Sequence, residues 1–356
     1  MDFKKFYLML AMAVMLVLSA CGNGGETTEK DAGSDDADAK EGSDETITYE
    51  NNYESGPPRG EEGETTEVNE TVELPKNSDK VAIYDLGVAS TFKALGIEEN
   101  IIGLPKGDNN ASLSEVNKDF ESDEYANLGG LKPDEFETLA ELQPEVIMIH
   151  GRQSNTQTVE EMEKAAPDAE IVFVAADSNN YFQDIMDMTE FLGEMYDVQD
   201  KADELVADMQ TKLDEVNQTV TEADKDMLFI QTNGGDLSFH GVGGRYGFLY
   251  EDLGFTSAGD QEEDEVTDDH GNQVSFEFIS ETDPGVMLVM DRGAAVSDGE
   301  ATPVDVVKND VTQHVDAIEN DNIIELNPQS WYLNSGGYLS GMAQLEEIEA
   351  GMAEIE

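Results

Sequence analysis

Positive charge is scarce in this chain: 19 Lys and Arg stand against 80 Asp and Glu, giving a formal net charge of −61 over 356 residues. That sign excludes a protein that grips nucleic acid or an anionic membrane surface by charge, because both require a basic face. Cysteine is almost missing. Cys21 is the only one, so no intrachain disulfide can form and no thiolate metal cluster is available. The four histidines, His150, His240, His270 and His314, match no metal signature in their spacing, which weighs against a bare metal site. Neither G-x-S-x-G nor H-E-x-x-H occurs, so hydrolase chemistry has no visible carrier. Acids this abundant single out no catalytic pair, and neither an enzyme nor an intrinsic cofactor is expected. Arginine occurs only at Arg59, Arg152, Arg245 and Arg292.

What is present begins with a targeting segment. Lys4 and Lys5 precede an apolar run from Phe6 to Leu18, and Leu18-Ser19-Ala20-Cys21 follows, the pattern of a bacterial lipoprotein signal (1–20) with Cys21 as lipidation point. Two acyl chains there, palmitate-type, would anchor the protein stably at the outer face of the cell membrane. Residues 21–75 are rich in Gly, Ser, Thr, Asp and Glu and read as an acidic, disordered tether. Acids spread through helices and loops alike suggest a halophilic protein, since the Debye length falls to about 3 Å at 1 M salt. A wholly disordered acidic chain is the rival, but apolar runs at 81–86, 146–149, 171–174, 227–230 and 286–290 argue for a fold.

One stretch occurs twice. Residues 136–152, FETLAELQPEVIMIHGR, align at an offset of 140 with residues 276–292, FEFISETDPGVMLVMDR. The pattern is a helix with an acid near its start, a proline, a buried parallel strand and then an arginine just past the strand's carboxyl end. Ligands in open α/β sheets sit at that end. The fold class is therefore α/β, with two lobes around a ligand cleft: an N-terminal lobe over 76–196, one long amphipathic helix over 197–224, and a C-terminal lobe over 225–356 finished by a closing helix. Residues 227–240 read as a hairpin, 246–253 as a helix, 260–270 as an acidic loop and 323–326 as an edge strand. The loop Gly241-Val242-Gly243-Gly244-Arg245-Tyr246-Gly247 lacks the spacing of a dinucleotide fingerprint.

Arg152, Arg245 and Arg292 each follow an apolar strand or sit in a glycine-rich loop. Three guanidinium groups aimed into a cleft would hold an anionic ligand, because arginine offers a planar, permanently charged fork of donors. The bland reading pairs them with surface acids, each bridge worth about 0 to 1 kcal/mol. Trp331 and Tyr332 suit either a ligand platform or the core.

The segments YDLG (84–87), LPKG (104–107), EYANLGG (124–130), GRQS (151–154), GRYG (244–247), VSFEFIS (274–280), MDRG (290–293) and WYLNSGG (331–337) resemble the siderophore-binding lipoproteins of Gram-positive bacteria. These are substrate-binding components of ABC importers, with a class III periplasmic-binding-protein-like fold. The nearest branch binds ferric catecholate siderophores of the petrobactin type. The resemblance covers about residues 70–356. It implies that Arg152, Arg245 and Arg292 hold an iron complex whose metal ligands come from the siderophore, so that no protein residue is a metal ligand. It also implies that Glu137 and Glu277 dock onto the ABC permease and that the protein works as a monomer. Haem or a corrinoid is the alternative ligand in the same architecture, and would ask for a more apolar cleft and an axial histidine such as His150. A surface enzyme and a structural acidic wall protein are the readings from other classes.

Overall fold

The computed structural model describes residues 45–58, 63–133, 136–259, 271–296 and 302–355. The signal segment, Cys21, Arg59, His270 and the acidic loop 260–270 lie outside the described residues, as does the tether reading up to residue 44. Where that reading continues onto described residues it is corrected. Strands β1 (Thr46–Ser55) and β2 (Thr66–Pro75) pair antiparallel along their whole length. In β1 every second residue, Ile47, Tyr49, Asn51, Tyr53 and Ser55, turns inward while the Thr and Glu residues between them face solvent. That period-2 burial is what a half-covered strand requires.

The first lobe runs β3 (Val81–Ile83), α1 (Leu86–Leu95), β4 (Ile101–Leu104), β5 (Ala126–Asn127), α2 (Glu137–Leu142), β6 (Val146–Ile149), α3 (Thr156–Ala165), β7 (Glu170–Phe173) and α4 (Tyr181–Met195). Its sheet is parallel throughout, in the order β5-β4-β3-β6-β7. Alternation along the strands feeds two cores. Val81, Ile83, Val146 and Met148 point to one face, and Ala82, Ile147 and Ile149 to the other. The chain then enters α5 (Gln199–Ala223), 25 residues and so about 37 Å long at 1.5 Å per residue. Its buried stripe of Ala202, Leu205, Met209, Val216 and Val220 follows the spacing expected of an amphipathic helix.

The second lobe opens with the hairpin of β8 (Asp226–Asn233) and β9 (Asp236–His240). It continues through α6 (Phe248–Glu251), shorter than the helix expected over 246–253, then β10 (Thr256–Ser257), β11 (Asn272–Val274), α7 (Phe276–Thr282), β12 (Val286–Asp291), α8 (Arg292–Val296), α9 (Pro303–Val307), α10 (Asp316–Glu319) and β13 (Ile323–Glu325). The sheet order is β11-β9-β8-β12-β13, with β10 also paired to β8 and β13 at the edge as expected. Among the described strands of this sheet the β8–β9 and β9–β11 pairs are antiparallel and the others parallel.

The repeated stretch is the same unit in both lobes. Helices α2 and α7 lead into β6 and β12, and each helix ends on a left-handed residue at the matching position, Gln143 at φ 47° and Asp283 at φ 49°. The closing helix α11 (Tyr338–Ala353), assigned by sequence to the second lobe, packs on α1, α4 and α5 and so returns to the first. Its entry needs glycine on both sides. A Cβ on Gly337 would stand 1.7 Å from the carbonyl oxygen of Gly87, and one on Gly87 would meet the Ser335 carbonyl oxygen at 2.2 Å. The largest core draws on strands of both sheets together with α1, α4, α5 and α11, so the lobes share one apolar body. No helix among the described residues is long and apolar enough to cross a membrane.

Candidate ligand-binding site

A cleft of about 1320 Å³ opens between the two sheets, and its lining draws on both lobes and on the β1–β2 hairpin. The first lobe contributes His150 and Arg152 from the turn after β6, and the second contributes Arg245, Arg292 and the segment around Tyr332. Each arginine is placed by a different device. The turn carrying Arg152 is closed by the Gln153 amide N–H donating to the His150 carbonyl at 2.8 Å. The Gln153 side chain, fully buried, accepts from the His150 amide at 3.0 Å and donates to the Leu131 carbonyl at 2.6 Å. Arg245 sits in the glycine loop, where Gly243 takes φ 75° and the Gly247 amide donates to the Gly244 carbonyl at 2.8 Å. Arg292 follows directly on β12, with the next amide, of Gly293, donating to Asp291 Oδ1 at 2.8 Å.

The three guanidinium groups converge on Tyr332. Arg152 Nη2 donates to the Tyr332 carbonyl at 3.1 Å and Arg245 Nη2 donates to the same oxygen at 2.8 Å. Arg292 Nε donates to the Tyr332 hydroxyl at 2.8 Å. The Tyr332 ring lies under two of them, its centroid 4.4 Å from the Arg245 guanidinium carbon and 5.0 Å from that of Arg292. None of the three takes part in a salt bridge with any described residue. In a chain this acidic, that leaves a concentrated positive charge whose direct contacts among the described residues are a carbonyl, a phenol and the ring faces of Tyr332 and Tyr246, with the buried Asp85 acting on Arg152 only at a distance. Two unit charges about 5 Å apart at an effective dielectric of about 20 repel by roughly 3 kcal/mol, and Arg152 and Arg245 share one acceptor. An anion that replaces those contacts relieves the repulsion.

The titratable neighbours respond to this charge. Burial, then Arg152 and Arg245, push the His150 imidazole down to about 3, so it is neutral at ordinary pH. Its Nδ1 accepts from the Arg152 amide at 3.4 Å. Burial pushes the Tyr332 phenol up, but the Arg292 hydrogen bond and the three guanidiniums outweigh it and hold the group below its usual value. Asp85 caps α1, its Oδ1 accepting from the Val88 amide at 2.9 Å and the Gly87 N–H also directed at the carboxyl, while Oδ2 is buried with no close partner among the described residues. Burial pushes Asp85 up to about 7, against the opposing pull of the Val88 N–H and Arg152.

Of the residues singled out in the sequence, Arg152, Arg245, Arg292 and Tyr332 are thus brought together on the cleft. Trp331 is not. It is fully buried, stacked on Phe248 at 5.9 Å with its indole N–H given to Glu347, and the ligand-platform reading is corrected for it. The reason is local: Gln329–Leu333 forms one wide helical turn, which sends the two adjacent aromatic side chains in different directions. His240 is fully buried against Phe229 and Tyr246, and His314 is near Ser280, whose hydroxyl is 3.1 Å from its Nε2. Glu137 and Glu277 are exposed in the first turns of α2 and α7, equivalent positions of the repeat and away from the cleft lining. Sequence reasoning missed Gln153, although GRQS was in view, and it missed the hairpin contribution of Tyr49, Glu50, Asn52, Gly56 and Pro57.

Residues 81–330 match the periplasmic binding protein family. Over 350 residues, 98% of this chain and 99% of the relative, the sequence is 31% identical to the petrobactin-binding protein YclQ of Bacillus subtilis. The crystal structure of that protein superposes with a TM-score of 0.72 at 30% identity, covering 85% of this chain and 98% of the other. The ferric-anguibactin-binding protein FatB of Vibrio anguillarum is 25% identical over 229 residues, 64% of this chain and 70% of that protein. With two α/β lobes of the same build enclosing the cleft, the chain belongs to the periplasmic binding protein family.

Proposed function

We propose that this protein is a cell-surface receptor that binds a ferric siderophore of the catecholate, petrobactin-like type and delivers it to an ABC permease. The observation that carries the reading is the convergence of Arg152, Arg245 and Arg292 from two lobes on one point, none of them paired with an acid among the described residues. Three catecholate dianions around one ferric ion leave a trianion, which three guanidiniums match in charge. Each contact near 4 Å is worth roughly 4 kcal/mol before desolvation at an effective dielectric of about 20. The siderophore supplies the iron ligands, and the arginines read the charge and the oxygen donors. The names of the two relatives, one binding petrobactin and the other ferric anguibactin, support the ligand class.

The remaining assignments follow from that role. Cys21 is the lipid attachment point, the membrane being reached through the anchor and not through a spanning helix. Glu137 and Glu277 meet basic residues of the permease, one from each lobe. The receptor acts as a monomer and catalyses no reaction. The haem or corrinoid alternative asks for an apolar cleft, and three arginines on the floor oppose it.

Trp331 offers the readout. It is the only tryptophan, fully buried next to Tyr332, so its fluorescence reports on occupation of the cleft. Titration with ferric petrobactin, haem and cobalamin should give saturable quenching with the first alone. Saturation by haem or cobalamin and none by the ferric siderophore would replace the reading.

A further inference from the structure

Tyr246 follows Arg245 in the glycine loop and lines the cleft, yet only 2% of its surface is exposed. Its ring is fixed on several sides, with centroids 4.8 Å from both Phe229 and His240 and 6.2 Å from Trp331. Its hydroxyl is buried and has no hydrogen-bond partner among the described residues. That is an exception with a cost, since a buried polar group left unmade forfeits about 1 to 3 kcal/mol, and native proteins keep few of them. Phenylalanine would fill the same space among these rings without the cost. The packing around the ring thus gives the hydroxyl no role in the empty receptor.

The surroundings indicate what it serves. Burial pushes the phenol up from its usual value, with Arg245, Arg152 and Arg292 pulling the other way. It stays protonated at neutral pH and can act as a donor. Among the described residues no acceptor meets it, and the arginine cluster beside it is where an anionic oxygen would arrive.

We infer that Tyr246 is a further binding residue, whose hydroxyl donates a hydrogen bond to an anionic oxygen of the chelate held by the three arginines. The inference rests on the ligand class proposed for the cleft and adds a discriminating contact to it. Arginines attract any compact anion, whereas a fixed phenol O–H rewards only a ligand that presents an acceptor at that one depth. An analogue with a carbon or a donor there leaves the hydroxyl stranded, and such mismatches separate ligands far better than bulk charge does. The hydroxyl is closed to water in the empty protein, so the bond forms only as the bound chelate takes over the guanidinium contacts on Tyr332.

The test is Tyr246→Phe in the full-length receptor, with ferric petrobactin as probe and Trp331 fluorescence as readout. The expected result is a ligand-free melting temperature equal to or above that of the wild type, with affinity weakened about tenfold to hundredfold, the range for a hydrogen bond to a charged acceptor. Unchanged affinity in the variant, with wild-type binding intact, overturns the role of Tyr246 and leaves the ligand reading standing. A lowered melting temperature in the ligand-free variant shows that the hydroxyl has a partner within the fold and overturns the premise. Failure of the wild type itself to bind the ferric complex refutes the ligand reading first and the role of Tyr246 with it.

Discussion

At the scale of single residues, burial and charge decide which groups can act. Asp85 shows how both can be read as a pH dependence. Its folded value is raised to about 7, well above that of an unfolded carboxyl, which is about 3.9. The folded protein therefore holds a proton that the unfolded chain releases. Its contribution to stability is complete below about pH 4, declines as pH rises, and is lost above about pH 7. Asp85→Asn retains an oxygen to accept from the Val88 amide and removes the titration. Chemical denaturation of the two proteins from pH 4 to 8 should show wild type losing stability relative to the variant as pH rises. Parallel curves would place the Asp85 carboxyl in ordinary solvation. His150 on the same charged floor stays neutral in the folded protein while its unfolded imidazole takes up a proton below about pH 6.5, so it lowers stability as pH falls. Both proteins share that step, and it cancels in their difference.

At the scale of elements, what was legible is what periodicity and repetition record. The 140-residue offset located α2–β6 and α7–β12 and put Arg152 and Arg292 past the ends of equivalent strands. The stripe of α5 was visible because it repeats for seven turns. The hairpin was hidden by its composition. Thr, Glu and Asn in β1 and β2 suggested a self-repelling tether, while the alternation of Ile47, Tyr49, Asn51, Tyr53 and Ser55 was a strand signal all along. It is secured by contacts that no local pattern announces: Asn51 donates to the Ile171 carbonyl at 3.1 Å and accepts from the Phe173 amide at 2.9 Å, and the Tyr49 hydroxyl donates to the Phe173 carbonyl at 2.7 Å. The convergence on Tyr332 was equally out of reach, since it joins residues 40 to 180 positions apart. The repeat carries a prediction of its own. Replacing both Glu137 and Glu277 by Ala, at the exposed starts of α2 and α7, should abolish iron uptake in cells while the purified receptor keeps its affinity. Normal uptake by the double variant would leave the two acids as ordinary first-turn residues favoured by the helix dipole.

At the scale of the whole molecule, a body of charge −61 has to admit an anion to a small positive floor. With a Debye length near 30 Å at 0.01 M salt the bulk charge dominates the approach, and near 3 Å at 1 M only the local contacts remain. Stopped-flow association with the ferric chelate should therefore speed up as sodium chloride is added, opposite to the usual steering of unlike charges. A rate that falls steadily with salt while circular dichroism stays native would mean that the cleft's own field outweighs the acidic surface. Surface bridges such as Lys201–Glu204 and Lys118–Glu115 are exposed pairs worth about 0 to 1 kcal/mol each, so added salt should stabilise the fold chiefly by screening the excess acids.

The cleft's arginines concentrate all of this into one quantity, the dissociation constant of the ferric siderophore in the wild type and in Arg152→Ala, Arg245→Ala and Arg292→Ala, measured by Trp331 quenching at matched salt. Removing one of three like charges eases their mutual repulsion, so each variant should fold and melt no lower than the wild type. Each should also bind more weakly by about 2 to 5 kcal/mol, because a buried negative charge loses its partner. Three folded variants with wild-type affinity would contradict the capture of an anionic chelate by these groups.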